Sequence, residues 1–219
     1  MVKVERSFPA PESLAREAAK ANGSYSEPDV TERLEKDFHN KCYICEMKGL
    51  QDPEVEHLLP HQNGKDKKRK FDWENLFWAC RHCNNVKNQR KYDAGILNCC
   101  RRDPEEAIAF GLEEQRVWAQ AKENGDQEAV LAAQLVVEVF NLCNTGMRVY
   151  KSKMRLEGLE TEMNVLYSQL GRYRQNPDSR RILRTLRALL SRESAFAGFK
   201  RGYVREHLNE YPELKEYLK

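Results

Sequence analysis

The sequence predicts an α+β protein: a small α+β module built around two cysteine pairs, followed by an α-helical C-terminal domain. Two observations carry this. Four of the seven cysteines form the pairs Cys42-Tyr-Ile-Cys45 and Cys80-Arg-His-Cys83, spaced to share an ion and not to build a disulfide framework. Beyond Pro104, apolar residues recur with helical period between turn signals. The boundary falls near 101–104. It leaves an N-terminal arm over 1–29, the module over 30–103 and the helical domain over 104–219.

In the arm, Pro9, Pro11, Pro28 and Gly23 leave room only for a short helix over 13–21, capped by Ser13. VTERLEKDFH (30–39) reads as a helix leading into the first cysteine pair. Residues 40–100 hold nearly all the groups suited to site chemistry. Asp103 and Pro104 are the N-cap and first residue of a further helix. Val130, Leu131, Leu135, Val139 and Leu142 give 127–142 a helical apolar face, hydrophobic enough for a core centre. NTGMR (144–148) reads as a break, 148–170 as a long amphipathic helix and RQNPDS as a turn. A helix follows over 179–194, then a second break at AGFKRGY (197–203) and a short C-terminal helix. Phe71, Trp73, Phe77 and Trp78 read as module core.

Composition limits the function classes. The 219 residues are 40% hydrophobic and 32% charged, which fits an ordered chain with a modest core. No apolar run approaches the roughly 20 residues that cross a bilayer. The opening MVKVERSFPAPESL lacks the apolar stretch of a signal peptide. The expectation is a cytoplasmic protein with no membrane partner. A net charge of +3 is too small to imply nucleic-acid binding by itself, so local clusters must carry that case.

The two cysteine pairs supply the ligands of a tetrahedral structural Zn²⁺. Its binding contributes on the order of 10 kcal/mol to the folding of so small a module. A four-cysteine shell is closed, so this ion is scaffold and not catalyst. His82 lies inside the second pair and is a rival ligand, disfavoured because the cysteines complete the shell. Cys99, Cys100 and Cys143 have no partner spacing and read as packing or incidental thiols.

Between and after the pairs come Glu56-His57-Leu58-Leu59-Pro60, then Asn75-Leu76, then Cys83-Asn84-Asn85-Val86-Lys87-Asn88. An acidic residue and a histidine precede an Asn-Leu, which precedes C-x-x-C-N-x-x-K. In that order the motifs, over roughly residues 40–90, resemble the zinc-stapled form of the HNH nuclease family. The resemblance implies a ββα-metal fold, a β-hairpin packed on a helix. It makes His57 the general base and Glu56 a ligand of a catalytic metal. Successive strand residues face opposite sides, so both serve one site only if the backbone turns there. Asn84 becomes the second metal ligand. Asn88, four residues on, supplies a third ligand or holds a metal-bound water. Asn75 braces the hairpin loop and orients the base. Lys87 either contacts a phosphate or is a solvated helix residue. So oxygen-rich a donor set favours Mg²⁺ or Mn²⁺.

Lys65, Lys67, Lys68, Arg69 and Lys70 lie in the loop between His57 and Asn75, where they can grip a phosphate backbone or simply be solvated. Residues 172–201 carry a second cluster: Arg172, Arg174, Arg180, Arg181, Arg184, Arg187, Arg192, Lys200 and Arg201. Arg180, Arg184 and Arg187 share one helix face, suited to nucleic acid or to an acidic partner.

V-K-V-E-R…P-x-P-E-S-L, V-E-H-L-L-P-H and V-F-N-L-x-N-T-G-M-R are similar to the HNH nucleases of Septu-type antiphage systems, including those linked to retrons. That likeness implies a defence effector with an ABC/SMC-like ATPase partner, docked on the arm and the helical half. In retron-linked members it also implies a reverse transcriptase and its msDNA. The rival readings are a zinc-dependent nucleic-acid-binding module without catalysis and a structural adaptor.

Overall fold

A computed structural model of the chain describes residues 1–141 and 146–219, and the side chains of all of these except 146–148. Helices α1 (Glu12–Ala18) and α2 (Pro28–Asp37) precede the first cysteine pair. Strand β1 (Pro53–His57) is joined by a loop containing the one-turn helix α3 (Lys67–Lys70) to strand β2 (Leu76–Cys80). Helix α4 (Arg81–Lys87) follows at once, then α5 (Pro104–Ala107), β3 (Ile108–Glu113) and β4 (Arg116–Ala121). Helices α6 (Gln127–Asn141), α7 (Gly146–Gln175), α8 (Arg180–Leu189) and α9 (Ala197–Glu206) complete the chain, with a 3₁₀ turn over Pro212–Leu218. The fold is mixed α and β, with two small antiparallel sheets, β1-β2 and β3-β4.

In the first sheet Pro53 pairs with Cys80 and His57 with Leu76. All five residues of β2 are buried. One reason is that Tyr43 N–H donates to Trp78 O at 3.0 Å, so the cysteine knuckle covers the other edge of β2. Phe38 from the end of α2, Tyr43 and Phe77 form an aromatic cluster, with Tyr43 and Phe77 centroids 4.8 Å apart. Trp73, Phe77 and Trp78 are core residues and Phe71 is partly buried against them.

The segment expected as an arm is built into this core. Met1, Val4 and Leu14 are buried. The Arg6 guanidinium donates to Trp73 O at 2.8 Å and Leu76 O at 2.7 Å, and lies 4.7 and 5.0 Å from the Trp73 and Phe77 ring centres. Its prolines and polar residues hid a long-range role that no local period reports. Ser13 is not the cap of α1. It sits inside the helix, and its N–H donates to Asp29.

The C-terminal half departs from the helical expectation in two places. Asp103 does cap α5, accepting from Glu105 N–H at 3.0 Å. That helix lasts four residues and gives way to the β3-β4 hairpin. The connecting residues Glu114 and Gln115 have φ of 44° and 64°, a left-handed pair that sequences usually write with Asn or Gly. Residues 197–203, expected as a break, are helical in α9. Gly198 and Gly202 serve close approach there. A Cβ at Gly198 would meet Phe110 Cζ at 2.6 Å and Glu46 Oε2 at 2.8 Å, and one at Gly202 would meet Phe110 O at 3.3 Å. The break expected at 144–148 is only partly visible, because Leu142, Cys143, Asn144 and Thr145 lie outside the described residues and α7 begins at Gly146.

The basic cluster is also smaller at the surface than the sequence suggests. Lys200 and Arg201, counted with the basic cluster, are fully buried. Lys200 pairs with Glu162 at 2.7 Å, and Arg201 with Glu105 at 2.8 Å and three backbone carbonyls. Arg192 is tied to Asp103 at 2.5 Å. The arginines of α8 remain exposed. Among the described residues no helix is long and apolar enough to cross a membrane.

Gly198→Ala is expected to cost about 1–3 kcal/mol, because overpacking against Phe110 and Glu46 outweighs the helix-propensity gain. Gly171→Ala, with nothing within 4 Å of the added Cβ, should instead stabilise by up to about 1 kcal/mol. Urea unfolding of both variants compares the two signs.

Candidate functional site

Cys42, Cys45, Cys80 and Cys83 are buried, and their sulfurs all lie within 4.8 Å of one another. The Cys45 and Cys80 sulfurs are 4.0 Å apart. Four thiolates about 2.3 Å from a tetrahedral Zn²⁺ stand roughly 3.8 Å from each other, so the cluster needs only a small contraction to close on the ion. Two local devices create it. The first knuckle is a tight turn in which Glu46 N–H donates to Cys42 O and Cys42 N–H to Met47 O, with Glu46 at φ 61°. The second places Cys80 at the end of β2 and Cys83 in the first turn of α4.

The sulfurs also have a partner from the C-terminal half. Arg155 of α7 is buried and donates from Nη2 to Cys80 Sγ at 2.9 Å. A Zn²⁺ held by four thiolates would carry a net double negative charge, and this guanidinium would offset part of it. His82 is not among the groups gathered at the sulfurs. Its Nε2–H donates to Val139 O at 3.1 Å, beside Ser152 Oγ at 3.3 Å, which docks α4 on α6 and α7. The rival-ligand reading of His82 is thereby removed.

The second candidate site is a cleft of about 370 Å³ at the end of the β1-β2 sheet where the connecting loop leaves β1. Glu56, His57, Asn84, Lys87 and Asn88 all line it, together with Tyr25, His61, Asn63 and Asp93. Asn75 lies behind it. Its Oδ1 accepts from Leu59 N–H at 2.8 Å, and its Nδ2 donates to Leu59 O at 2.9 Å and Arg69 O at 3.0 Å. These bonds fix both ends of the loop.

His57 Nε2 lies 3.0 Å from Lys70 O. A carbonyl can only accept, so Nε2 carries the proton and Nδ1 holds the lone pair. Burial pushes the pKa of His57 down to about 4, with neighbouring His61, Lys87 and Lys70 adding to the shift against the Lys70 carbonyl bond. The ring stacks edge-on against Tyr25 at 4.6 Å. Tyr25 belongs to the segment after α1, which Lys67 and Lys70 hold by donating to Lys20 O and Gly23 O at 3.1 and 2.8 Å.

Glu56 and Lys87 sit on the cleft floor. Glu56 Oε1 accepts from Lys87 Nζ at 2.5 Å and Oε2 from the Tyr43 hydroxyl at 2.6 Å. Burial raises the Glu56 pKa above the ordinary carboxyl value, against the pull of Lys87 and Tyr43. Lys87 spends its other two protons on His57 O and Leu58 O, both at 3.0 Å. It is therefore neither a solvated helix residue nor available to a phosphate, because an ammonium has only three donors. Asn84 Nδ2 donates to Glu54 at 2.8 Å, leaving its carbonyl oxygen for other partners.

The basic loop does not line the cleft. Lys67 and Lys70 are tied to backbone as above, and Arg69 pairs with Asp66 at 3.4 Å. Lys65 and Lys68 are exposed. The sequence reading omitted Tyr25, His61, Asn63 and Asp93 from the site. His61, four residues after His57 in V-E-H-L-L-P-H, was the findable one. No family model matches the chain, and no curated protein matches it.

Cys45→Ser is expected to lose bound zinc and to unfold at much lower temperature, read by metal analysis and thermal melts. Arg155→Leu should keep stoichiometric zinc but weaken its hold roughly tenfold, as removal of outer-shell partners does. Competition with a chromogenic chelator measures it, and an unchanged affinity would show that the guanidinium has no electrostatic role.

Proposed function

We propose that the chain is a metal-dependent HNH-type nuclease that hydrolyses phosphodiester bonds of DNA or RNA, tRNA included. The observation that carries this is the placing of His57: it lines a polar cleft, and its Nε2 lies 3.0 Å from the Lys70 carbonyl, which leaves Nδ1 of the neutral ring as the acceptor. Such an imidazole can take a proton from an attacking water near neutral pH. Asn75 positions that base indirectly, because Arg69 O, which it binds, immediately precedes the carbonyl that fixes the ring. The Lys87 ammonium holds Glu56 oriented and clamps the end of β1.

The cleft's donor chemistry fits a hard divalent cation. Glu56 keeps a second lone pair on each oxygen, and the amide oxygens of Asn84 and Asn88 add neutral donors. These three residues would hold Mg²⁺ or Mn²⁺, whose contribution when bound is to stabilise charge on the scissile phosphate. The Lys87 ammonium beside Glu56 works against cation affinity, so millimolar free metal is the expected requirement.

The pattern shared with Septu-type nucleases supports a role as a defence effector restrained by an ABC/SMC-like ATPase, with a reverse transcriptase and its msDNA in retron-linked members. Co-expression with the genomic neighbours and copurification tests this. The exposed α8 arginines with Lys65 and Lys68 favour the second reading, nucleic-acid binding without cleavage. Binding that persists while Mg²⁺ and Mn²⁺ yield no cut ends would select it.

His57→Gln should retain zinc and fold yet lose about 10²–10⁴-fold in cleavage, the usual value of a general base. Undiminished cutting by that variant would refute the mechanism. Because the folded His57 pKa is depressed, the base stays competent as pH falls until about 4, whereas an ordinary histidine would fail near 6.5. The stability of the neutral ring is full above about 6.5 and declines below it as the unfolded chain takes up the proton. The acid limb of the rate should therefore be recorded with folding followed in parallel by circular dichroism.

A further inference from the structure

His61 lines the same cleft as His57, with ring centres 4.4 Å apart, and no family role was carried over to it. Its tautomer is readable from one bond. Gly64 N–H donates to His61 Nδ1 at 2.8 Å. A backbone N–H can only donate, so Nδ1 holds the lone pair and the proton sits on Nε2. His57 has the opposite arrangement, with Nε2 protonated and Nδ1 bare. One cleft thus presents an imidazole acceptor and an imidazole donor side by side.

The loop holds His61 at a conformational cost. Gln62 and Asn63 have φ of 52° and 55°, and Gly64 follows at 85°. A left-handed conformation is disfavoured for any residue but glycine. The cap on Nδ1 and the bond from Asp66 N–H to His61 O at 3.1 Å hold them. Strain retained beside a cleft is consistent with a side chain whose direction is being fixed.

In-line displacement puts the attacking and leaving oxygens on opposite sides of phosphorus. Two rings this close cannot straddle a phosphate, so His61 acts on the same side as the base. We infer that His61 is a phosphate-binding residue whose Nε2–H donates to a non-bridging oxygen of the phosphodiester. The inference rests on the nuclease reading for its substrate but not for its test.

Two substitutions separate donor from cap. In His61→Asn the amide oxygen stands near the place of Nδ1 and can still accept from Gly64, but nothing remains at Nε2. In His61→Gln the amide nitrogen reaches the place of Nε2 and restores a donor. The probe is an uncharged-base dinucleoside monophosphate, titrated without added Mg²⁺ or Mn²⁺ into the full zinc-loaded chain. Its affinity and the His61 nitrogen shifts are followed by NMR, and the Gly64 amide reports the cap. His61→Asn should bind at least about tenfold more weakly, the value of a hydrogen bond to a charged group, with the Gly64 amide unmoved. His61→Gln should bind within about threefold of the parent. Binding by His61→Asn equal to the parent, or equal loss in both variants, overturns the assignment. If the parent binds but never cuts, and His61→Asn does not bind, the nuclease reading fails and the phosphate site stands. If His61→Asn cuts nucleic acid with unchanged KM and kcat, the reverse holds.

Discussion

The gathering of four thiols at one point is the constraint on which the rest of the structure depends. It brings residues 42–45 against residues 80–83, and so fixes the knuckle to the end of β2 and the start of α4. The strand and the helix that line the cleft hang from that joint. Strand β1 is placed by pairing with β2, and Lys87 by helix α4, whose first turn holds Cys83. Glu56 and His57 are then set at the end of β1 by the Lys87 ammonium. A module with so few strands has little apolar area to hold these parts in register, which is why a metal-sized constraint matters here.

Beyond the thiols, charged groups join the halves. Arg192 meets Asp103, Glu46 accepts from Gly198 N–H, Lys41 donates to the carbonyl of Ser194, and Arg155 reaches Cys80. Buried charges of this kind are weak evidence for stability, because desolvation offsets their attraction. Their geometric demand is strict, however, since each must be met by its partner at hydrogen-bond distance. The two halves therefore share one interior, and the sequence boundary near 101–104 marks a change of composition without a break in packing.

The parts of this architecture that were legible in the sequence are those written locally. The cysteine spacing announced the thiol cluster, and the apolar period announced α6 almost to the residue. The hairpin over 108–121 was hidden because Glu114 and Gln115 make its turn without the glycine or asparagine that would advertise it. Gly198 and Gly202 looked like a break because glycine disfavours helix, yet here they admit a strand to the helix surface. The site was half legible. Glu56, His57, Asn84 and Asn88, close in an order that the sequence displays, line one cleft. The engagement of Lys87 and Glu56 with each other, and the arrival of Tyr25 over His57, are long-range outcomes that no spacing encodes.

The Arg155–Cys80 bond spans 75 residues of chain, and that separation has a consequence for synthesis. A nascent chain with its first hundred residues outside the ribosome can already draw the four sulfurs together. It has no guanidinium beside them, and His82 has no Val139 carbonyl to receive its proton. The metal knot is tied early and locked late. On this account the thiol cluster gains its guanidinium partner only after the middle of α7 has emerged, so that a truncated product carries the four thiols without the charge that faces them.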